Sequence, residues 1–258
     1  MTTVREVEAC LFAWAPKELA AAWDNVGHLV GDPDTEVKKV LVSLDITEAV
    51  VQEAIEQGAD LIVAHHPVIN CKWHPVQSVR SDDAQGRMLI GMIRNGISAI
   101  CMHTNLDAAE GGVNDLLAQK LGLSDIQLLN EEKIGRVGVL NCELPLVDFT
   151  RFVVKSLGCN GLRYTDSGKA VHRVAVGGGS CSEFIPQAIA LGCDTFVTSD
   201  IRYHDFLDTK ALNLIDAGHF PTENLVCPAI ADCLKKAFPQ LMILHSTAHA
   251  DEVIQYCI

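Results

Sequence analysis

Histidines and carboxylates recur at the ends of apolar runs along this chain of 258 residues. His65 and His66 follow Asp60-Leu61-Ile62-Val63-Ala64, and His103 and Asp107 follow the run 97–102. Asp200 and His204 follow the run 194–198, and His219 and Glu223 follow the run 212–215. Imidazoles and carboxylates in this mixture suit borderline and hard divalent ions: zinc, manganese, iron or cobalt. Two such ions about 3.5–4 Å apart, bridged by carboxylates and a water, form a hydrolytic centre that activates the water and polarises a substrate. Asp107 and Glu223 are the candidate bridges, and His65, His66 and His219 the candidate imidazole ligands. His103 and His204 are candidates for proton transfer or substrate orientation.

Each residue also has a plainer role. The His65-His66 pair can be a satisfied turn, and Asp107 can be a loop or helix-capping residue ahead of Ala108. Glu223, close behind Pro221, can stabilise a helix N-terminus. His103 and His204 can be supporting or surface histidines. The ligand reading gains from convergence, because ligands gather outside the carboxyl ends of strands in open α/β sheets. That requires the apolar runs to be strands of one sheet system.

The pattern along the chain supplies such strands. Residues 4–22 have helical spacing of Val4, Val7, Leu11 and Phe12, interrupted at Pro16, where one helix ends and another is expected to start. A short apolar strand lies at Leu29-Val30. A βαβ unit then follows, with a strand over 39–44, Asp45 and Thr47 opening a helix over 48–57, Gly58 closing it, and a strand over 60–64. A helix over 85–95 ends at Gly96 before the strand 97–102. The second half repeats the plan: a strand at Val174-Ala175-Val176, a helix over 183–191 closed by Gly192, and strands over 194–198 and 212–215. At one constant offset Val40 falls on Val174, Gly58 on Gly192, Asp60 on Asp194 and Val63 on Val197. This ungapped correspondence points to an internal duplication, with lobes over 1–126 and 127–258. The stretch 125–170 is expected to carry most of the connection between them.

Composition narrows the function. Net charge is −13, which repels phosphate backbones and anionic membranes and argues against a nucleic-acid or membrane partner. Ten cysteines occur without a C-x-x-C spacing, several in apolar runs, as expected for reduced core thiols rather than a secreted disulfide framework. The N-terminal residues lack an apolar signal core and no stretch is long enough to span a bilayer, so the cytoplasm is the expected compartment. Gly177-Gly178-Gly179-Ser180-Cys181 is neither a nucleophile elbow nor a P-loop. It is expected to be a tight turn or a close backbone approach, with phosphate cradling as the alternative.

The runs 23–27, 58–67, 103–107, 135–138, 198–200 and 216–223 together resemble the NIF-three-like proteins, often labelled GTP cyclohydrolase I type 2 homologues. The resemblance runs in order over nearly the whole chain. It implies an α/β fold of two similar intertwined lobes with mixed sheets and a dinuclear metal site in the cleft between them. It places the ligands on His65, His66, Asp107, His219 and Glu223, each of the expected residue type. It also implies a homo-oligomer, a hexameric ring built as a trimer of dimers with sites facing an inner cavity. Two departures stand out: His28 replaces a usually apolar residue, and the chain is too short for the inserted middle domain of longer members.

The label suggests a hydrolase in which metal-activated water opens the guanine imidazole ring of GTP or attacks a similar heterocycle. The alternative is a non-catalytic metal-binding ring protein that stores, inserts or senses metal, or acts as an adaptor. Steady turnover that stops on chelation separates the first from the second.

Overall fold

The computed structural model describes residues 1–69 and 76–249. In chain order its strands and helices are β1 (Thr2–Thr3), α1 (Val4–Trp14), β2 (Gly27–Val30), β3 (Glu36–Val37), β4 (Lys39–Ser43), α2 (Glu48–Gln57), β5 (Leu61–Ala64), α3 (Ala84–Arg94), β6 (Ser98–Cys101) and α4 (Thr104–Ala108). There follow α5 (Val113–Lys120), β7 (Ser124–Leu128), β8 (Arg136–Leu144), α6 (Leu146–Leu157), β9 (Arg163–Thr165), β10 (Val171–Val176), α7 (Ile185–Ala190) and β11 (Thr195–Thr198). The last are α8 (Tyr203–Asp208), β12 (Asn213–Asp216), α9 (His219–Glu223), α10 (Val226–Ala237) and β13 (Met242–His245). The chain divides into two units, one made of Met1–Glu110 and the described residues from Val226 on, the other of Gly111–Leu225. A single boundary between 126 and 127 was expected from sequence. The chain instead returns to the first unit, because β13 pairs in parallel with β4 and α10 packs on both.

In the first unit a five-stranded mixed sheet has the order β13-β4-β5-β6-β2. Its first four strands are parallel, and β2 runs antiparallel to β6. β5 is central and wholly buried, which explains its unbroken apolar run Leu61-Ile62-Val63-Ala64. Removing such Leu, Ile and Val side chains from water contributes about 1.5–3 kcal/mol each. Alternation sends Leu41, Ile62 and Cys101 into a core shared with Val50 and Ala54 of α2 and Leu89 and Met92 of α3. Thr3 caps α1 with a full capping box through Glu6, and that helix ends at Trp14. After Pro16 only a short 3-10 turn, Lys17–Leu19, forms where a second helix was expected. Helix α2 keeps its expected limits, closed by Gly58 in the left-handed conformation at φ +62. Its cap is Thr47, whose hydroxyl accepts the Val50 N–H at 3.2 Å. That leaves Asp45 for another task. His28 sits half-buried in β2 opposite Ile100, its N–H donated to Glu8.

The second unit holds a six-stranded mixed sheet of order β7-β8-β10-β11-β12-β9. β10, β11 and β12 are parallel, while β7, β8 and β9 join antiparallel. Strand alternation again sorts the core. Val174, Val176 and Val197 face Leu117 of α5 and Phe149 and Val153 of α6, whereas Ala175 and Phe196 face Ile185 and Ala188 of α7. The stretch 125–170 is therefore no connector: it supplies most of β7 together with β8, β9 and α6, half of the strands of this sheet and much of its cover. The helix expected over 183–191 begins as a 3-10 turn, Ser182–Phe184, because Pro186 lacks an N–H and sits in the first α-turn.

Candidate functional site

Parallel strands β4, β5 and β6 deliver their following residues to one edge of the first unit's sheet. The Leu44 carbonyl accepts both the His65 N–H at 3.1 Å and the His66 N–H at 2.9 Å, so the backbone turns sharply there. His65 is fully buried, and its Nδ1 lies 2.7 Å from the Met102 carbonyl oxygen. His66 Nδ1 lies 2.7 Å from Asp45 Oδ1. His103 Nδ1 lies 2.9 Å from Asp24 Oδ1. The rings pack together, with centroids of His65 and His66 4.9 Å apart, His65 and His103 5.3 Å, and His66 and His103 5.5 Å. One ring nitrogen from each lies within 4.8 Å of the others.

Asp107 stands inside α4 and is 7% exposed. It does not cap that helix, whose N-cap position is His103. Its Oδ1 is 3.6 Å from His65 Nε2. That is too long for a hydrogen bond, but close to the separation of about 3.4 Å between two donors on one tetrahedral ion with bonds near 2.0–2.1 Å. Asp24 is the buried anchor of this group. Besides His103 it accepts the Thr104 N–H at 3.0 Å and the Thr104 hydroxyl at 2.6 Å. Burial alone would raise its carboxyl, but the hydrogen bonds and charge of His103, with Thr104, outweigh that and lower it to about 2. Asp45 is likewise pushed up by burial and pulled further down, well below the usual carboxylate range, by His249 and His66.

In the second unit β11 and β12 lead into Asp200 and His219, two and three residues past their ends. Asp200, with φ +53, lies with Oδ2 2.6 Å from His219 Nδ1. Across the short helix α9, His219 Nε2 meets Glu223 Oε2 at 2.9 Å. Burial alone would lower the His219 imidazole, but the charge of Glu223 and the hydrogen bonds to Asp200 and Glu223 raise it to about 11. The triple glycine is explained here. A Cβ on Gly179 would stand 2.1 Å from Glu223 Oε1 and 3.2 Å from His219 Nε2, and one on Gly178 would stand 2.6 Å from Val113. Close backbone approach is thus the reason for glycine. The N–H groups of Gly177, Gly178 and Gly179 are donated to Val197 O, Asn114 Oδ1 and Thr222 Oγ1. With all three committed, the glycines themselves offer no N–H donor to a phosphate.

His204 is exposed on α8, edge-on to Tyr203, and joins none of the potential metal groups found among the described residues. Arg202 beside it is paired with Asp205. Cys101, Cys159, Cys181, Cys193 and Cys227 are buried, Cys142 is exposed, and Cys71 and Cys257 lie outside the described residues. The sequence reading missed Asp24 and Asp45 as partners of the histidines. Asp45 carried a usable signal, since it too follows a strand, β4, at the same sheet edge.

A donor set of this chemistry fits a divalent metal. Three imidazoles each commit Nδ1 to a carboxylate or a backbone carbonyl, the support that metal-ligating histidines use to fix tautomer and direction. The sequence profile of the family described as Duf34/NIF3 (NGG1p interacting factor 3) matches residues 2–252. The chain belongs to the Duf34/NIF3 family. It is 36% identical to a Clostridium perfringens protein named GTP cyclohydrolase 1 type 2 homolog, over 231 residues covering 86% of this chain and 87% of that one. A Lactococcus lactis protein of the same name is 38% identical over the same shares. The fold agrees: a Bacillus cereus crystal structure of a protein related to NIF3 matches with a TM-score of 0.92 and 25% identity, covering 99% of each chain. Among the described residues of this Duf34/NIF3 chain, no helix is long and apolar enough to cross a membrane.

Proposed function

We propose that this Duf34/NIF3 chain is a metal-dependent hydrolase of the cyclohydrolase type. His65, His66, Asp107, His219 and Glu223 are its ligands for a pair of divalent ions, and its substrate is a nucleotide or a similar heterocycle. The carrying observation is the shared support of His65, His66 and His103, each with Nδ1 held by a protein acceptor. The names of the Clostridium and Lactococcus relatives support the cyclohydrolase class.

When bound, the ions supply Lewis-acid polarisation and an acidified water. The chain supplies the rest. His65, Asp107 and Glu223 are nearly excluded from solvent, which strengthens charge interactions at them. His103, held by Asp24, stands with its ring beside those of His65 and His66 and can hold or pass a proton there. In the same reading the protein is cytoplasmic and works as a homo-oligomer, a hexameric ring, which rests on the family resemblance.

The test begins with metal content. Protein saturated with zinc or manganese is expected to retain about two ions per chain, and a His65→Ala/Glu223→Ala double variant none, with its circular dichroism unchanged. Nucleotide turnover that stops on chelation supports the hydrolase. Bound metal without turnover across a nucleotide panel transfers the site to metal storage, insertion or an adaptor role. A wild-type chain that takes up no metal sinks both.

A further inference from the structure

The three imidazoles of the first unit differ in how their partners are themselves secured. Met102 offers His65 a backbone carbonyl, which is fixed by the chain. Asp24 offers His103 a carboxylate with a fully buried side chain, clamped by Thr104. Asp45, the partner of His66, has a side chain 36% exposed and is secured from a distant part of the sequence. Its Oδ1 takes His66 Nδ1 and its Oδ2 lies 2.7 Å from His249 Nε2. The His249 side chain is 12% exposed.

His249 reaches that place through a short, heavily tied stretch. After β13 pairs with β4, the Ser246 N–H is donated to the Val42 carbonyl. Glu53 on α2 then gathers four donors from the stretch: the Ser246 hydroxyl at 2.5 Å, the Thr247 N–H at 2.9 Å, the Thr247 hydroxyl at 2.8 Å and the Ala248 N–H at 3.3 Å. A carboxylate held by one oxygen can still swing about its last torsion; one held by both has its plane fixed. Once that plane is fixed, the direction of the hydrogen bond it accepts from an imidazole is fixed too.

We propose that Ser246–His249 is a strap that orients His66, with His249 the positioning residue that acts through Asp45 and Glu53 the clasp that holds the strap. The proposal deepens the metal-site reading and rests on His66 being a ligand. Outer partners of ligating histidines typically account for about 10–100-fold in metal affinity. His249 acts one bond further out, so roughly tenfold is expected for it by the same principle.

The experiment uses the full chain with His249→Ala, His249→Gln and Glu53→Gln variants. Zinc affinity is measured by chelator competition, the His66 ring by nitrogen-15 NMR of the metal-free protein, and folding by thermal melts. His249→Ala is expected to weaken zinc roughly tenfold and to replace the single Nδ1–H tautomer of His66 by an averaged one. The melt should stay cooperative. His249→Gln, whose amide can donate to Asp45, should recover much of both losses. Glu53→Gln should show the same changes at smaller size, and it carries the test if His249→Ala does not fold. A variant series with wild-type zinc affinity and an unchanged His66 tautomer overturns the strap. A wild-type chain that binds no zinc, but whose His66 tautomer still responds to His249→Ala, overturns the metal reading and leaves the positioning in place.

Discussion

The two units hold their histidines in opposite ways. In the first, His65, His66 and His103 each give one nitrogen to a fixed acceptor and cluster with their rings about one another. In the second, His219 is gripped on both nitrogens, by Asp200 and by Glu223, and is drawn up to about 11. The first arrangement could hold a cation with its side chains already in place; the second is an internal ion pair that a cation would have to displace. Beneath this difference the scaffolds share detail. Asp60 Oδ2 accepts the N–H groups of Lys38 and Lys39 at the start of β4, and Asp194 Oδ2 accepts those of His172 and Arg173 in β10. The same clasp of strand on strand thus supports different chemistry, because side chains after a strand are free to vary while the backbone pairing is not.

The sharpest way to break the contrast is Gly179→Ala. Its Cβ falls 2.1 Å from the Glu223 carboxylate, on a backbone at φ +64. Overpacking and a left-handed alanine together should cost about 2–4 kcal/mol and displace Glu223, with loss of metal binding read by metal analysis. Gly58→Ala, at φ +62 with open space around it, isolates the backbone part and should cost only about 1 kcal/mol in a melt. Equal losses at the two positions would show that the close approach to Glu223 has no energetic weight.

A smaller effect separates the two orienting carboxylates. Asp24→Ala removes a buried acceptor of three hydrogen bonds and should destabilise by about 2–3 kcal/mol. Asp200→Ala removes one whose side chain is 51% exposed, and should cost under about 1 kcal/mol. Urea melts of both variants measure the difference, and a reversed order would mean that the second unit, not the first, is the rigid one.

The mildest test is pH. Asp24 is lowered to about 2, so its contribution is complete above the ordinary carboxylate value of 3.8 and disappears as pH falls through about 2. His219 is raised to about 11, so its contribution is complete below the ordinary histidine value of 6.5 and fades as pH rises toward about 11. Stability of the metal-free chain should therefore erode at both ends, from Asp24 in acid and from His219 in base. A Glu223→Gln variant should lose most of the alkaline slope, and an unchanged slope would remove His219 as its source.

Much of the first unit was legible because its signals are local. Thr47 and Gly58 bracket α2, and an unbroken apolar run marks β5 as buried on both faces. The same strand-end rule brought out His65, His66, His103 and Asp107, which do lie together, and also His204, which is exposed on α8. Spacing cannot separate those cases, since an exposed helix turn after a strand reads the same as a buried one. The stretch 125–170 reads as a connector because β8, beside its neighbour β7, meets its second strand partner β10 only after α6 and β9 intervene. Pairing at that range leaves little trace in local periodicity.

Residue order was enough to mark the residues that could do chemistry, the succession of the βαβ units and the family that carries them. These follow from residue type and short-range pattern, which act within a few turns of chain. Tertiary structure alone decided that Asp24 and Asp45 secure histidines, that Gly179 makes room for Glu223, and that the described residues from Val226 on return to the first unit. Each of those depends on groups far apart in sequence meeting within hydrogen-bond or van der Waals distance, and only the folded chain sets that distance.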